Sequence, residues 1–327
     1  MPLLIVRLLF GAGEAGAFPN ISGAISHWFP AGERGRAQGV VWGASRIGGI
    51  LAPLIIVPLL TLLGWRAMFW ILGAAGLMWV AIWRPRYRNH PSEHPGVSPE
   101  ELAEMGPSYP RDSHAAIPWG ILFRSRSLWL IIGMYSTYGW GAYFYLSWLH
   151  TYLMDGRGLS EKEMGLFSTL PFILGACANL LGGWLSDRLS NRYGLRNGRR
   201  MIGAFGLAMG GLCVLGTALT HGKLSGILLI SMGYGFMDLM LPSAWAITLD
   251  VGGRYAGAVS GAMNSSAQFG GFVCSVLFGY MAQRFGYNSP LFVIAAMLAL
   301  SAFLFSKIDA SKPIVAEREV EEEPQSA

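Results

Sequence analysis

The sequence predicts an all-α integral membrane protein of about nine transmembrane helices, and three observations carry the prediction. Hydrophobic residues make up 53% of the chain and charged residues 13%, about half the charged share of soluble proteins. The apolar residues run without interruption: Gly48 to Leu63 and Leu224 to Met237 carry no charge and sit inside longer, nearly uncharged segments. Segments of roughly 20 such residues are long enough to cross the hydrocarbon core as helices. Finally, the basic residues fall in the polar gaps between these segments, which accounts for the net charge of +5 without a nucleic-acid partner. The 44 glycines fit close helix packing in lipid, where no water drives association.

Taken in order, the spanning segments are 3–29, 37–63 and 65–83, then 127–153, 163–186, 200–220, 224–250, 255–284 and 288–306. The division is therefore 1–83, the remnant of an N-terminal bundle with three helices; 84–126, a connector; 127–306, a six-helix C-terminal bundle; and 307–327, a tail. Pro85, Pro91, Pro95, Pro99, Pro107 and Pro110 make the connector irregular, with one short helix near Pro99–Met105. The tail ends in the acidic run Glu317 to Glu323, a composition that favours disorder. Cys177, Cys213 and Cys274 lie in apolar segments with no paired spacing, so they are packing residues.

Sidedness follows from the basic residues. Seventeen of the 24 fall on the side of the connector and tail, and five on the other. The richer side is expected to be cytoplasmic, in the inner (plasma) membrane, with connector and C-terminus inside and the N-terminus outside. Met1 to Phe10 imitates a signal peptide, but no small-residue cleavage site follows. An odd number of helices is therefore expected ahead of Met1. An internal repeat agrees. Gly35-Arg36, Gly39 and Gly43 recur as Gly253-Arg254, Gly257 and Gly261, and Gly64-Trp65 recurs as Gly286-Tyr287. Two six-helix halves, the first lacking three helices, would produce this pattern.

Gly183-Trp184-Leu185-Ser186-Asp187-Arg188, followed by Tyr193-Gly194 and Gly198-Arg199-Arg200, is the most specific motif. Small residues permit close approach, and Asp187 can face the positive N-terminal end of a neighbouring helix, by symmetry the one starting near Gly35-Arg36. The stretch resembles the gating loop of the major facilitator superfamily, and Gly183, Asp187, Arg188, Gly194, Arg199 and Arg200 are its matching positions. The resemblance narrows with Arg7 through Pro19, Trp28-Phe29-Pro30 and Glu33-Arg34-Gly35. These are similar to helix four and its following loop in the anion:cation symporter family, which takes up hexuronates, aldonates, phthalate and similar anions. His150 departs from that family's pattern, where a proline is common.

Arg7 and Glu14 are seven residues apart and project from nearly one helix face, roughly 10 Å apart. An ionisable group in a membrane segment needs a cavity or a partner. In the functional reading Arg7 takes the substrate carboxylate by its planar fork and Glu14 carries the proton. In the structural reading Arg7 snorkels to the interface and Glu14 makes a structural bond; the resemblance favours function. Arg46 either faces the substrate, favouring one with two acidic groups or with one acid and several hydroxyls, or neutralises Asp238 or Glu14 as a buried pair. Tyr138 and Tyr143 are cavity candidates on an aromatic helix. The resemblance implies substrate contacts for Trp245 and Asn264, and Gln268 shares the face of Asn264.

The six histidines scatter between opposite faces, so no metal centre is expected, and Pro91 and Pro95 disfavour a helix carrying His90 and His94. No phosphate-cradling GxxxxGK[ST] loop appears, so ATP-driven transport by this chain is not expected. The expected protein is a monomeric secondary transporter, not an enzyme, and needs no cofactor. It would move a small organic anion with a proton by alternating access in the lipid bilayer. The alternatives are a membrane receptor for the anion and a non-functional transporter fragment.

Overall fold

The computed structural model describes residues 2–105 and 117–315. Pro107, Pro110, Arg111, the acidic run Glu317 to Glu323 and Arg318 lie outside the described residues. The first part of the chain forms α1 (Pro2–Glu14), α2 (Ala17–Trp28) and α3 (Arg34–Arg86). Two short helices, α4 (Pro99–Met105) and α5 (Trp119–Arg124), belong to the connector. The remainder forms α6 (Arg126–Tyr143), α7 (Leu149–Thr151), α8 (Glu161–Phe167), α9 (Leu170–Leu219), α10 (Lys223–Gly252), α11 (Ala256–Phe285) and α12 (Ser289–Lys307). No strand occurs among the described residues.

Three departures from the expected segments have local causes. Segment 3–29 is two helices, not one, with a break at Ala15–Gly16. Pro19 lacks the N–H that would bond the Ala15 carbonyl, and its ring clashes there. The motif between 186 and 200, expected as a loop, is helical within α9 except at Gly194, where φ is 81°. That conformation is open to glycine at little steric cost. Lastly, α6 continues through wide π turns at Phe144–Trp148 and Tyr152–Gly156, which rotate its aromatic face.

The expected separation of 37–63 from 65–83 occurs at Gly64, with φ 77° and ψ 165° inside α3. Gly286, its repeat partner, has φ 83° and ψ 160°. The two corners are thus built alike, which gives the internal repeat a backbone counterpart.

The core sits in the second half of the chain. Leu128, Ile131 and Met134 of α6 are fully buried with Val214 of α9, Met237 of α10 and Leu298 of α12. Here α9 packs against α10 and α12, and α6 against α11 and α12. Across the seam, α3 packs on α9 and α10, while α2 packs on α11. Large apolar side chains point outward, including Leu62 at 80% and Trp70 at 81% exposure. An outward apolar surface of this extent is what a bilayer solvates. Cys177 is exposed, Cys213 and Cys274 are buried, and all three are free.

Candidate functional site

A cavity of about 720 Å³ lies on the seam between the two halves. Elements from both sides wall it. Glu14 comes from α1, Phe18 from α2, Trp42 and Arg46 from α3, Tyr135, Tyr138 and Tyr143 from α6, and Asn264 and Gln268 from α11. The volume falls in the usual range for small-molecule sites. Phe18 stacks on Trp42 with ring centroids 4.3 Å apart and an interplanar angle of 3°, so one wall is a flat aromatic surface. The opposite wall is polar, and there the Tyr143 hydroxyl donates to Gln268 Oε1.

Arg46 is the cationic side chain among the lining residues. It lies roughly 18 Å along α3 from Arg34, about halfway across a bilayer. Its guanidinium makes a bidentate fork on Asp238 of α10, Nε to Oδ2 at 2.6 Å and Nη2 to Oδ1 at 2.9 Å. Asp238 is fully buried. Asn179 Nδ2 of α9 donates to the same carboxylate at 2.9 Å. The Tyr234 ring lies beneath the guanidinium, 5.1 Å from the centroid. Between the two partners the sequence left open, the structure chooses Asp238, and the pair crosses the seam.

A second ion network ties the halves at the basic end of the molecule. Asp187 of α9 accepts from the backbone N–H of Gly35 at 2.9 Å and of Arg36 at 2.6 Å, in the first turn of α3. The carboxylate thus meets unpaired N–H groups and the positive helix end together. Arg199 Nη1 donates to Asp187 Oδ1 at 2.6 Å, and its Nε donates to Asp250 Oδ2 at 3.1 Å. Arg34 closes the set on Asp250 Oδ1 at 3.2 Å. Close approach is needed for all of this. A Cβ at Gly39 would stand 2.7 Å from the Asn179 carbonyl, and one at Gly183 would collide with the Gly35 carbonyl.

The candidate residues therefore divide. Glu14, Arg46, Tyr138, Tyr143, Asn264 and Gln268 line one cavity. Arg7 is exposed on α1 and is not among the lining residues. Trp245 is fully buried behind the wall, 5.3 Å from the Trp42 ring, and donates to the Tyr135 hydroxyl at 2.7 Å. Within the motif, Gly183, Asp187 and Arg199 lie on the seam, and Gly194 makes the corner. Arg188 is exposed and lies over the Trp184 ring. Arg200 instead ties α9 to the end of α12, donating to the Lys307 carbonyl at 3.1 Å and to the Ile308 carbonyl.

Sequence reasoning missed Asp250, Tyr135, Phe18 and Trp42. Asp250 had a signal, an acid three residues ahead of the repeated Gly253-Arg254. The aromatic residues had none, because aromatic side chains on apolar helices are ordinary packing. Near the connector, His90 lies 4.9 Å from the His27 ring, and His94 Nδ1 accepts from the Gly96 N–H at 3.1 Å. No metal-binding cluster occurs among the described residues.

Two helical halves with a polar cavity and a cross-seam ion network define a membrane transport protein of the two-bundle kind. A family model described as Major Facilitator Superfamily matches residues 1–275, and the chain belongs to that family. Among curated relatives, the probable sulfoacetate transporter of Cupriavidus necator is 35% identical over 305 residues, covering 92% of this chain and 70% of that one. The hexuronate transporter of Bacillus subtilis is 26% identical over 306 residues, covering 92% and 71%. The chloroplastic ascorbate transporter of Arabidopsis thaliana is 27% identical, and the chain spans 57% of its length. The crystal structure of the Escherichia coli fucose:proton symporter matches with a TM-score of 0.60 at 14% identity, over 90% of this chain and 73% of that one. That likeness is one of fold. Family membership puts the chain among membrane transporters rather than enzymes.

Proposed function

We propose that the protein carries a small organic anion together with a proton, as a monomer in the bilayer, by alternating access. Arg46 is the observation that carries the reading: an intramembrane guanidinium facing a polar cavity on the seam of two bundles. Such a group is costly in lipid unless it serves a partner or a ligand, and its planar fork suits a carboxylate or sulfonate. Tyr138, Tyr143, Asn264 and Gln268 would then hold the polar remainder of the substrate, and Trp245 would brace the aromatic wall. Arg7, two turns before Glu14, is assigned to the approach path, and Glu14 to passing protons between the cavity and bulk water.

Names of the relatives support the same chemistry. Sulfoacetate carries two acidic groups; hexuronate carries one acid and several hydroxyls. Under this reading residues 1–83 belong to one bundle, 84–126 connect, 127–306 form the second bundle, and 307–327 are a tail. Rocking between bundles would break the network of Asp187, Arg199, Asp250 and Arg34 in each cycle. The test is uptake of radiolabelled sulfoacetate and D-galactonate into proteoliposomes. Accumulation driven by an imposed inward proton gradient and lost with a protonophore is the expected result. Binding without flux would mean a receptor, and neither binding nor flux would overturn the anion reading.

A further inference from the structure

Asp238 is an unusual neighbour for a substrate-binding arginine, because it already occupies the fork that an anion would use. Both guanidinium nitrogens facing it are engaged, at 2.6 and 2.9 Å. An anion can take the Nε–Nη2 edge of Arg46 only if Asp238 leaves or loses its charge. Two acids competing for one fork in a low-dielectric site repel each other strongly. Glu14, on the same cavity, adds a further carboxyl near the incoming anion.

The surroundings are equipped for a neutral Asp238. Asn179 donates to the carboxylate through Nδ2, and its Oδ1 is buried with no hydrogen-bond partner among the described residues. Rotation of this amide, at the cost of the Nδ2 bond to the Gly175 carbonyl, would turn a vacant acceptor toward the O–H of the acid. The Tyr234 hydroxyl, on the same helix as Asp238, is also buried and unpartnered. Buried polar atoms are seldom left this way, and orphans here point to a site whose hydrogen bonds are completed in another state. The titratable groups facing Asp238 are Arg46 from α3, Tyr135 and Tyr138 from α6, Tyr145 from the π turn that follows it, and Tyr234 from α10. Arg46 is the group among these that is charged at neutral pH.

We propose that Asp238 is an internal stand-in for the substrate: a proton on its carboxylate frees Arg46, and the substrate's carboxylate or sulfonate takes the vacated fork. The inference rests on the transport reading above and adds where coupling occurs. One proton is bound for each acidic group seated on Arg46, so the charge at the site is the same before and after. Because the pair joins α3 to α10, its exchange for a free anion also removes a tie between the halves.

Linkage makes this measurable. In purified protein, the affinity for sulfoacetate and for D-galactonate, followed by Trp fluorescence or calorimetry, should rise up to tenfold per unit fall in pH between pH 8 and 5. In a weakly buffered dye solution about one proton should be taken up per anion bound. Asp238→Asn should bind with an affinity independent of pH and take up no proton. Arg46→Gln, and the double variant Arg46→Gln with Asp238→Asn, should lose binding. The double variant leaves no buried charge unpaired, so it controls for folding. Glu14→Gln should slow proton-driven uptake yet keep the equilibrium proton count. A pH slope that persists in Asp238→Asn, or a proton count that vanishes in Glu14→Gln, would overturn the inference and leave the transport reading intact. If Asp238→Asn fails to fold, the wild-type and Glu14→Gln proton counts decide alone. Wild-type protein that binds neither anion would remove the anion reading on which the inference rests.

Discussion

Arg199 shows how much one buried side chain can hold. Its guanidinium is fully buried and touches two carboxylates, Asp187 and Asp250, plus the Ser186 hydroxyl at 2.9 Å and the Ala31 carbonyl at 3.0 Å. Removing one partner from a buried ion pair typically costs about 3–5 kcal/mol, because the remaining charge stays buried and unpaired. Arg199→Ala is therefore expected to destabilise the detergent-purified protein by about that amount, read from thermal or denaturant unfolding. Arg199→Lys should recover only part of the loss, since an ammonium cannot fork onto both acids. A variant as stable as the wild type would mean that the network contributes nothing to this state. The residue scale is also where the sequence was least complete. Asp187 could be paired with the start of α3 because its motif spacing and the repeat locate both partners. Arg46 could not be assigned, since Asp238 and Glu14 are both acids at membrane depth and only the crossing of α3 with α10 separates them. Arg7 and Glu14 shared a face on the assumption of one straight helix through residue 14, which holds. What periodicity could not show is that the cavity reaches Glu14 but not Arg7.

At the level of elements, glycine and proline gave usable punctuation wherever a residue pair marked a corner, as at Gly64-Trp65 and Gly286-Tyr287. They misled where the motif carried many charges: residues 187–199 look like a loop by composition, yet their backbone stays helical around a single turn at Gly194. Tertiary packing of Asp187 and Arg199 outweighs the polar composition there. Short α8 needs its own support, because a helix of 7 residues is marginal by itself. Ser160 and Glu163 form a reciprocal capping box at its start, and Lys223 donates to the same glutamate at 3.0 Å. The Ser160 backbone N–H, Lys223 and the Ser160 hydroxyl all donate to the Glu163 carboxylate. Amide exchange in α8 is therefore expected to be slow at neutral pH, after correction for intrinsic rates. Glu163→Gln should exchange faster at neutral pH. Equal exchange in both proteins would mean that the cap does not hold the helix.

Over the whole molecule, charge is sorted by end, and the sorting can be checked independently of transport. Arg157, Glu163 and Lys223 gather at one end, where Arg157 donates to the Thr220 carbonyl at 2.7 Å and Lys223 pairs with Glu163. Arg34, Arg199 and Asp250 gather at the other, together with Arg196 and Asp309 at 3.5 Å. The all-helical, two-half architecture was legible because the bilayer enforces long apolar segments and the repeat survives in glycines; the register between halves was not, since it depends on side chains meeting across the seam. Membrane insertion retains basic loops on the cytoplasmic side. The end carrying seventeen of the 24 basic residues should then be cytoplasmic, and the network around Arg199 becomes a closed inner gate. Single cysteines at Lys162 and Lys312, both exposed, test this in a background with Cys177, Cys213 and Cys274 replaced. A membrane-impermeant maleimide applied to intact spheroplasts should label Lys162→Cys, and should label Lys312→Cys only after permeabilisation. The reverse pattern would put the Arg199 network on the outside. The central cavity, lying beyond that network from the basic end, would then face the cytoplasm, and the anion would meet Arg46 from within the cell.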